Sequence, residues 1–252
     1  MTAGSTIRVF DSQSGAYHKA FQVFLAHTDQ KVNARRWLDN WVQSLAARRV
    51  LIDAGAGNGQ VTQWFLDQFE QTIAVEPSPS LSAELRQTCP RAEVLAVPIL
   101  DAQPSVPGDL ILCSHVLYYI ERETWLAHLD RMASWLAPGG VLVVVLQNHE
   151  TDCMRLLERF HGQRFSLSEL ATDFEKEHGR RYRVECELVP AHVTAPDLAT
   201  AYTIAEFMLN LLPLPHPPAR ETVEKYIRDH FVDRAGGFRF SCHQDFLTVR
   251  AS

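Results

Sequence analysis

Residues 51–65 read LIDAGAGNGQVTQWF, and the reading of this stretch decides the fold. An apolar run ends in Asp53, glycines follow at 55, 57 and 59, and an apolar-periodic segment starts after Gln60. A strand that breaks into a glycine-rich turn and re-enters the sheet through a helix is the opening of a βαβ unit. Glycine at every second position denies the turn its side chains, so the backbone can come close to a ligand. Two nucleotide readings compete for the turn. A dinucleotide fingerprint, G-x-G-x-x-G, is met by Gly55 and Gly57 but finds Gln60 at its third position. A P-loop is excluded, because no lysine follows the glycines.

Outward from this turn the chain alternates. The pattern predicts strands at 49–55, 72–78 and 93–99, each preceding a helix or turn, with helices over 60–69 and 80–89. DLILCSHVLYYI reads as a strand, a loop and a short turn; 123–136 reads as a helix closed by Pro138-Gly139-Gly140. VLVVVLQ is a continuous apolar run, as in a parallel strand covered on both faces. Beyond it lie helices at 151–161 and 166–178, a strand at 181–189, an apolar helix at 196–212, the breaker PLPHPP, and a helix at 219–233. FRFSCHQDFLTVRA is read as one last strand. Two helices precede everything, 17–28 with Tyr17, Phe21, Phe24 and Leu25 on one face, and 31–46 with Trp37, Leu38, Trp41 and Val42 inward. The expected fold is α/β: a doubly wound, mostly parallel seven-stranded sheet whose last strand is antiparallel. One domain is expected: an N-terminal helical lid at 1–48, a cofactor-binding core at 49–195, a helical cap insertion at 196–235 and the last strand at 236–252.

Composition bounds the function. The chain has 252 residues and a formal net charge of −6, which argues against nucleic acid as partner. No apolar run reaches the roughly 20 residues of a membrane span, and MTAGSTIRVF carries no secretion signal. Five widely spaced cysteines with no CxxC pair suit reduced thiols in the cytoplasm and no structural metal. The scattered histidines give no pair with metal-ligand spacing. Monomer and homodimer both stay open.

With Asp53 before it and Glu76 ending the second strand, the G-x-G-x-G turn resembles motif I of the class I S-adenosylmethionine-dependent methyltransferases. A carboxylate at the end of that strand can accept hydrogen bonds from both ribose hydroxyls. WLAPGGVLVVV resembles the family's turn into its fifth strand. The resemblance implies a Rossmann-like methyltransferase with S-adenosyl-L-methionine as cofactor and S-adenosyl-L-homocysteine as product. It implies cofactor contacts from Asp53, Gly55, Gly57, Gly59, Glu76 with its neighbour Pro77, Asp101 after the third strand, Ser114 and His115.

FDSQSGAYHKAFQVFLAHTDQ, VEPSPS, DLILCSHVLYYI and DFLTVRA also resemble, in order, stretches of the histamine N-methyltransferases. In these, the N-terminal helix helps enclose a small amine; Tyr17, Phe21 and His27 match it. The acidic residue that meets the amine falls on Gln30, or on Asp29 with one gap. A substrate-facing glutamine falls on His115 and an asparagine on Cys242, with His243 adjacent; Tyr119 matches directly. The polar groups of the acceptor side are therefore changed, which argues against histamine itself. The cap helix offers Tyr202, Phe207 and Met208 as walls.

Methyl transfer from a sulfonium needs a nucleophile with a free lone pair in a near-attack position. His115 can act as base or clamp, with Tyr119 beside it; a histidine hydrogen-bonded beneath the cofactor is the bland alternative. The expected reaction is transfer to a nitrogen of a small imidazole- or amine-containing metabolite. The alternative is a phenol or carboxylate O-methyltransferase with His115 as base. Base methylation of nucleic acid is disfavoured, because the strand-four tetrapeptide is Ser114-His115-Val116-Leu117 and no Asn/Asp-Pro-Pro-Tyr motif follows. A cofactor-binding protein without catalysis would carry the same turn.

Overall fold

The structure, a computed structural model, describes residues 5–10, 14–234 and 236–251. The expected lid, cap and last-strand segments each include positions outside this range. The chain divides into two compact units built from interleaved segments. One comprises the described residues up to Arg36, Gln147–Phe165 and Leu188–Gln244; the other comprises Trp37–Leu146, Ser166–Glu187 and the described residues from Asp245 onward.

The second unit carries the large sheet. Its strands are β1 (Val50–Ala54), β2 (Gln71–Val75), β3 (Glu93–Leu95), β4 (Gly108–Ser114), β5 (Leu136–Gln147), β6 (Tyr182–Val189) and β9 (Gln244–Ala251). Their order is β3-β2-β1-β4-β5-β9-β6. The pairs β2–β3, β1–β2, β1–β4 and β4–β5 are parallel. The whole is the expected mostly parallel, seven-stranded sheet with an antiparallel strand. Every residue of β1 is buried, Asp53 included, as in a central strand covered on both faces. Helix α3 (Pro79–Thr88) starts where Ser78 Oγ accepts the Leu81 N–H at 3.4 Å and Pro79 takes the first turn. Helices α4 (Trp125–Ala133) and α6 (Leu167–His178) also belong to this unit.

Three local expectations are corrected. The helix expected over 60–69 is a run of turns around one 3₁₀ turn, Thr62–Trp64. The reason is local. Trp64 N–H bonds the Val61 carbonyl at 3.0 Å and Phe65 N–H the Thr62 carbonyl at 3.1 Å, a three-residue spacing. Val61 and Thr62 are β-branched, and the Thr62 hydroxyl is engaged elsewhere. Pro138-Gly139-Gly140 does not precede β5 but lies inside it. The register jumps from Gly108↔Leu136 to Leu110↔Val141, and a Cβ on Gly140 would sit 2.6 Å from the Gly108 carbonyl oxygen. The third strand is shorter than expected, since Pro98 ends in a turn closed by Asp101 N–H on its carbonyl at 3.0 Å.

The other unit is mainly helical: α1 (Gly15–His27), α5 (Asp152–His161), α7 (Leu198–Leu209) and α8 (Arg220–His230) pack around a small sheet of β7 (His192–Ala195) and β8 (Phe238–Ser241), paired antiparallel. Helix α2 (Gln30–Ser44) runs from this unit into the other. The last strand is thus two strands. The chain leaves one before entering the other because Cys242 N–H bonds the Ala191 carbonyl at 2.9 Å and the His243 carbonyl accepts Asn148 N–H at 2.8 Å. Neither bond belongs to a ladder. Phe24, Val193, Ile204, Phe207, Ile227, Phe231 and Phe240 form the core. An extended segment, residues 5–10, is strapped to this core by Ile7, 3% exposed. Glu206 fastens it, accepting Arg8 N–H at 2.8 Å and Arg8 Nε–H at 2.9 Å. Among the described residues no helix is long and apolar enough to cross a membrane. Cys89, Cys113, Cys153 and Cys242 are buried and Cys186 is exposed.

Candidate functional site

Strand order reverses between β1 and β4, which are parallel neighbours, so their carboxyl ends lie side by side. Open α/β sheets take ligands at this switch point. Gly55 follows β1 and His115 follows β4 there.

The three glycines do different work. A Cβ on Gly55 would collide with the Val116 side chain, so Gly55 lets the turn pass under the loop after β4. A Cβ on Gly59 would lie 2.8 Å from Leu85 Cδ1 and 2.9 Å from Cys89 Sγ; Gly59 lets the turn pack on α3. Gly57, with φ +57°, faces open space: nothing lies within 4 Å of where its Cβ would be. Gly57 N–H donates to Glu76 Oε2 at 2.9 Å, and Ser78 N–H donates to Oε1 at 2.8 Å. Each carboxylate oxygen retains acceptor capacity, enough to receive a pair of vicinal hydroxyls. Beside them Pro77 and Asp101 are exposed and Ser114 is half-buried.

Asp53 is 2% exposed and accepts the Thr62 hydroxyl at 2.6 Å. Burial pushes its carboxyl up from 3.8 to about 6; the Thr62 hydrogen bond pulls it back and the Glu76 charge adds to the rise. Thr62 is the partner that sequence reasoning missed, since nothing in a strand–turn–helix pattern marks it.

His115 has φ +59°, the single positive φ outside glycine among the described residues. That region costs an L-residue with a Cβ roughly 1–2 kcal/mol. It is held by its N–H on the Val145 carbonyl at 2.8 Å, and its ring stacks on Tyr118 with centroids 5.9 Å apart and planes 19° apart. The Trp125 indole N–H bonds the Leu117 and Ile120 carbonyls at 3.1 and 3.0 Å, fixing the 3₁₀ turn Leu117–Tyr119. Tyr119 points outward, 66% exposed. Backbone strain at a polar residue just beyond the end of β4 makes His115 a candidate for function.

The acceptor-side residues lie in the helical unit. Tyr17 and Phe21 are half-buried on α1 and meet Phe207 of α7, with ring centroids 5.4 and 5.3 Å apart; Phe24 meets it from below at 5.4 Å. Tyr17, Phe21, Phe24 and Phe207 thus form one aromatic group. Other candidates are held by the fold itself. Gln30 is buried, its Nε2–H on the Cys242 carbonyl at 3.0 Å. Asp29 Oδ1 accepts His192 N–H at 2.7 Å. Cys242 is fully buried, its thiol 3.3 Å from the Thr28 hydroxyl. His243 Nδ1 lies 2.8 Å from the Ala191 carbonyl oxygen. His27 Nδ1 lies 2.8 Å from the Val23 carbonyl oxygen. Tyr202 is 5% exposed and donates to Glu206 Oε1 at 3.0 Å, so it is a core residue of the cap rather than a wall; burial, with the Glu206 carboxylate, pushes its phenol well up. Met208 is likewise fully buried.

A methyltransferase-domain family matches residues 25–185, which takes in the glycine turn, Glu76 and His115. The chain belongs to this family. A trans-aconitate 2-methyltransferase of Acidovorax sp. (strain JS42) is 33% identical over 105 residues, 41% of this chain and 40% of that one. A carboxy-S-adenosyl-L-methionine synthase of Pseudomonas putida (strain W619) is 30% identical over 142 residues, 51% of this chain and 54% of that one. The chain thus spans between two fifths and about half of these curated relatives. Among solved structures, the N-methyltransferase NodS of Bradyrhizobium japonicum, in complex with S-adenosyl-L-homocysteine, superposes with a TM-score of 0.55 at 15% identity, over 95% of this methyltransferase-family chain and 99% of that one. That likeness is one of fold.

Proposed function

We propose that this chain is an S-adenosyl-L-methionine-dependent methyltransferase acting on a small molecule. The observation that carries the reading is the pairing, at the switch point of the sheet, of an open glycine turn over Glu76 with a strained polar residue, His115. The residues fit the cofactor. The missing side chain of Gly57 leaves room beside a carboxylate with spare acceptor positions. When bound, the cofactor's sulfonium supplies an activated methyl group. The chain's own task is then to hold the nucleoside, exclude water and deliver the acceptor in line.

Glu76 holds the ribose, and Gly55, Gly57 and Asp53 contour the remainder of the nucleoside site. His115 takes the acceptor's proton or clamps a polar group beside the acceptor atom. In this reading the glycine turn serves the cofactor.

Transfer to a nitrogen of an amine or imidazole and transfer to an oxygen are the two acceptor chemistries. A histamine-type amine needs an acidic partner, and both candidates for that role, Asp29 and Gln30, are bonded to backbone in this fold. That favours an acid or phenol, with His115 as base; one relative is named for transfer to trans-aconitate, an acid. The test is S-adenosylhomocysteine formation across a library of acids, phenols, amines and imidazoles, with product mass spectrometry to separate oxygen from nitrogen methylation. Turnover of one class, abolished in Gly57→Val, is the expected result. No turnover with any acceptor, in a chain that binds no S-adenosylhomocysteine, would overturn the proposal.

A further inference from the structure

We infer that the helical unit carries a ligand site of its own, a pocket for a small organic anion on the polar face of the β7–β8 ribbon. In this antiparallel pair His192 faces Ser241, Val193 faces Phe240, Thr194 faces Arg239 and Ala195 faces Phe238. Side chains alternate across a strand, so the ribbon has two unlike faces. Val193, Ala195, Phe238 and Phe240 are buried in the core. His192, Thr194, Arg239 and Ser241 make the other face, and His192, Arg239 and Ser241 line a cavity of about 540 Å³. Asp152 at the start of α5 and the segment 232–234 after α8 complete the lining.

The charges of this cavity are not equivalent. Asp152 Oδ2 accepts the Ser241 N–H and the Ser241 hydroxyl, both at 2.8 Å, and Ser241 Oγ accepts the Asp152 N–H at 2.9 Å. Asp233 Oδ1 accepts the Gly237 N–H at 3.1 Å. Both acids thus hold the chain in place. Arg234 and Arg239 do not: among the described residues neither guanidinium has an acidic partner. His192 lines the same space. Burial lowers its imidazole and the Arg239 and His243 charges lower it further, against Asp29 and Asp152, so near neutral pH it is an uncharged ring with an N–H to donate. A carboxylate or a phosphate ester is the group that two guanidinium forks and an N–H donor suit, through charge-assisted hydrogen bonds. The Asp152 and Asp233 charges offset the general positive field, so the site selects by the geometry of its donors. Val232, 54% exposed, adds an apolar wall for the carbon part of the ligand. The inference goes beyond the methyltransferase reading and shares no residue with the glycine turn.

The experiment titrates the full chain by calorimetry with malonate, inorganic phosphate and the neutral isostere malonamide, at one ionic strength so that screening is the same throughout. Malonate or phosphate should bind saturably, with a dissociation constant below about 1 mM, and malonamide should not. Arg239→Gln should weaken the anion by about tenfold or more, and Arg234→Gln should weaken it too. Lys225→Gln, at a lysine paired with Asp229 on α8 outside the cavity, should leave it unchanged. All three variants should melt as the parent does. Failure of both anions to saturate, equal binding of malonamide, an affinity indifferent to both arginine variants, or an equal loss in Lys225→Gln would overturn the inference. S-adenosylhomocysteine, titrated in parallel, tests the cofactor reading separately.

Discussion

The two units of this chain make their candidate sites in opposite ways. Around the glycine turn the work is done by backbone: two N–H groups on Glu76, an open space where Gly57 has no Cβ, and a forced φ at His115. In the helical unit it is done by side chains drawn from far apart in sequence, with Tyr17 and Phe21 meeting Phe207 across about 190 positions. A backbone site can be copied from fold to fold with little sequence in common. A side-chain site must be respecified for each ligand.

The largest effect that would test the division is Gly57→Val. A branched side chain in the open space, on a residue at φ +57°, should weaken S-adenosylhomocysteine by about a thousandfold while malonate binds the helical unit as before; paired calorimetric titrations read both. Next is Asp53→Asn. The carboxyl rises from 3.8 unfolded to about 6 folded, so the folded state holds the proton more tightly. The native chain should then lose stability as pH climbs from 4 through 6, by about 3 kcal/mol at most. Asn lacks that loss. The variant should melt at a higher temperature than the parent at pH 8, with the gap closing at pH 4; a pH-independent gap would refute the burial argument.

His115→Asn should follow, with kcat down about a hundredfold and S-adenosylhomocysteine affinity unaltered, since asparagine tolerates positive φ but is no base. His115→Gly should be equally inactive yet more stable by about 1 kcal/mol in denaturant titrations, because the strain is released. An active glycine variant would make the histidine structural. The smallest effect is Tyr202→Phe. Losing one hydrogen bond to Glu206 should cost about 1 kcal/mol and leave S-adenosylhomocysteine binding untouched.

The same division explains what could be read from sequence. The sheet, its order-reversing core and the glycine turn follow from apolar periodicity and from residues adjacent in the chain. The expected helix at 60–69 failed because Thr62 is held by a side chain nine positions back, Asp53, a bond periodicity does not register. FRFSCHQDFLTVRA alternates well enough to pass for one strand. Only the non-ladder bonds to Ala191 and from Asn148 reveal that β8 and β9 belong to different sheets. The strand β7, four residues long, was not legible at all. Tyr202 was read as a wall because an aromatic on an apolar helix looks the same whether it faces a ligand or Glu206.

Four thiols are shut inside the protein and Cys186 is exposed. A thiol reagent should therefore label Cys186 first. Further colour would then develop only as fast as the chain opens, with Cys153 and Cys242 timing the helical unit and Cys89 and Cys113 the sheet. A built-in pair of clocks would thus tell whether ligand binding steadies one half of the protein or both.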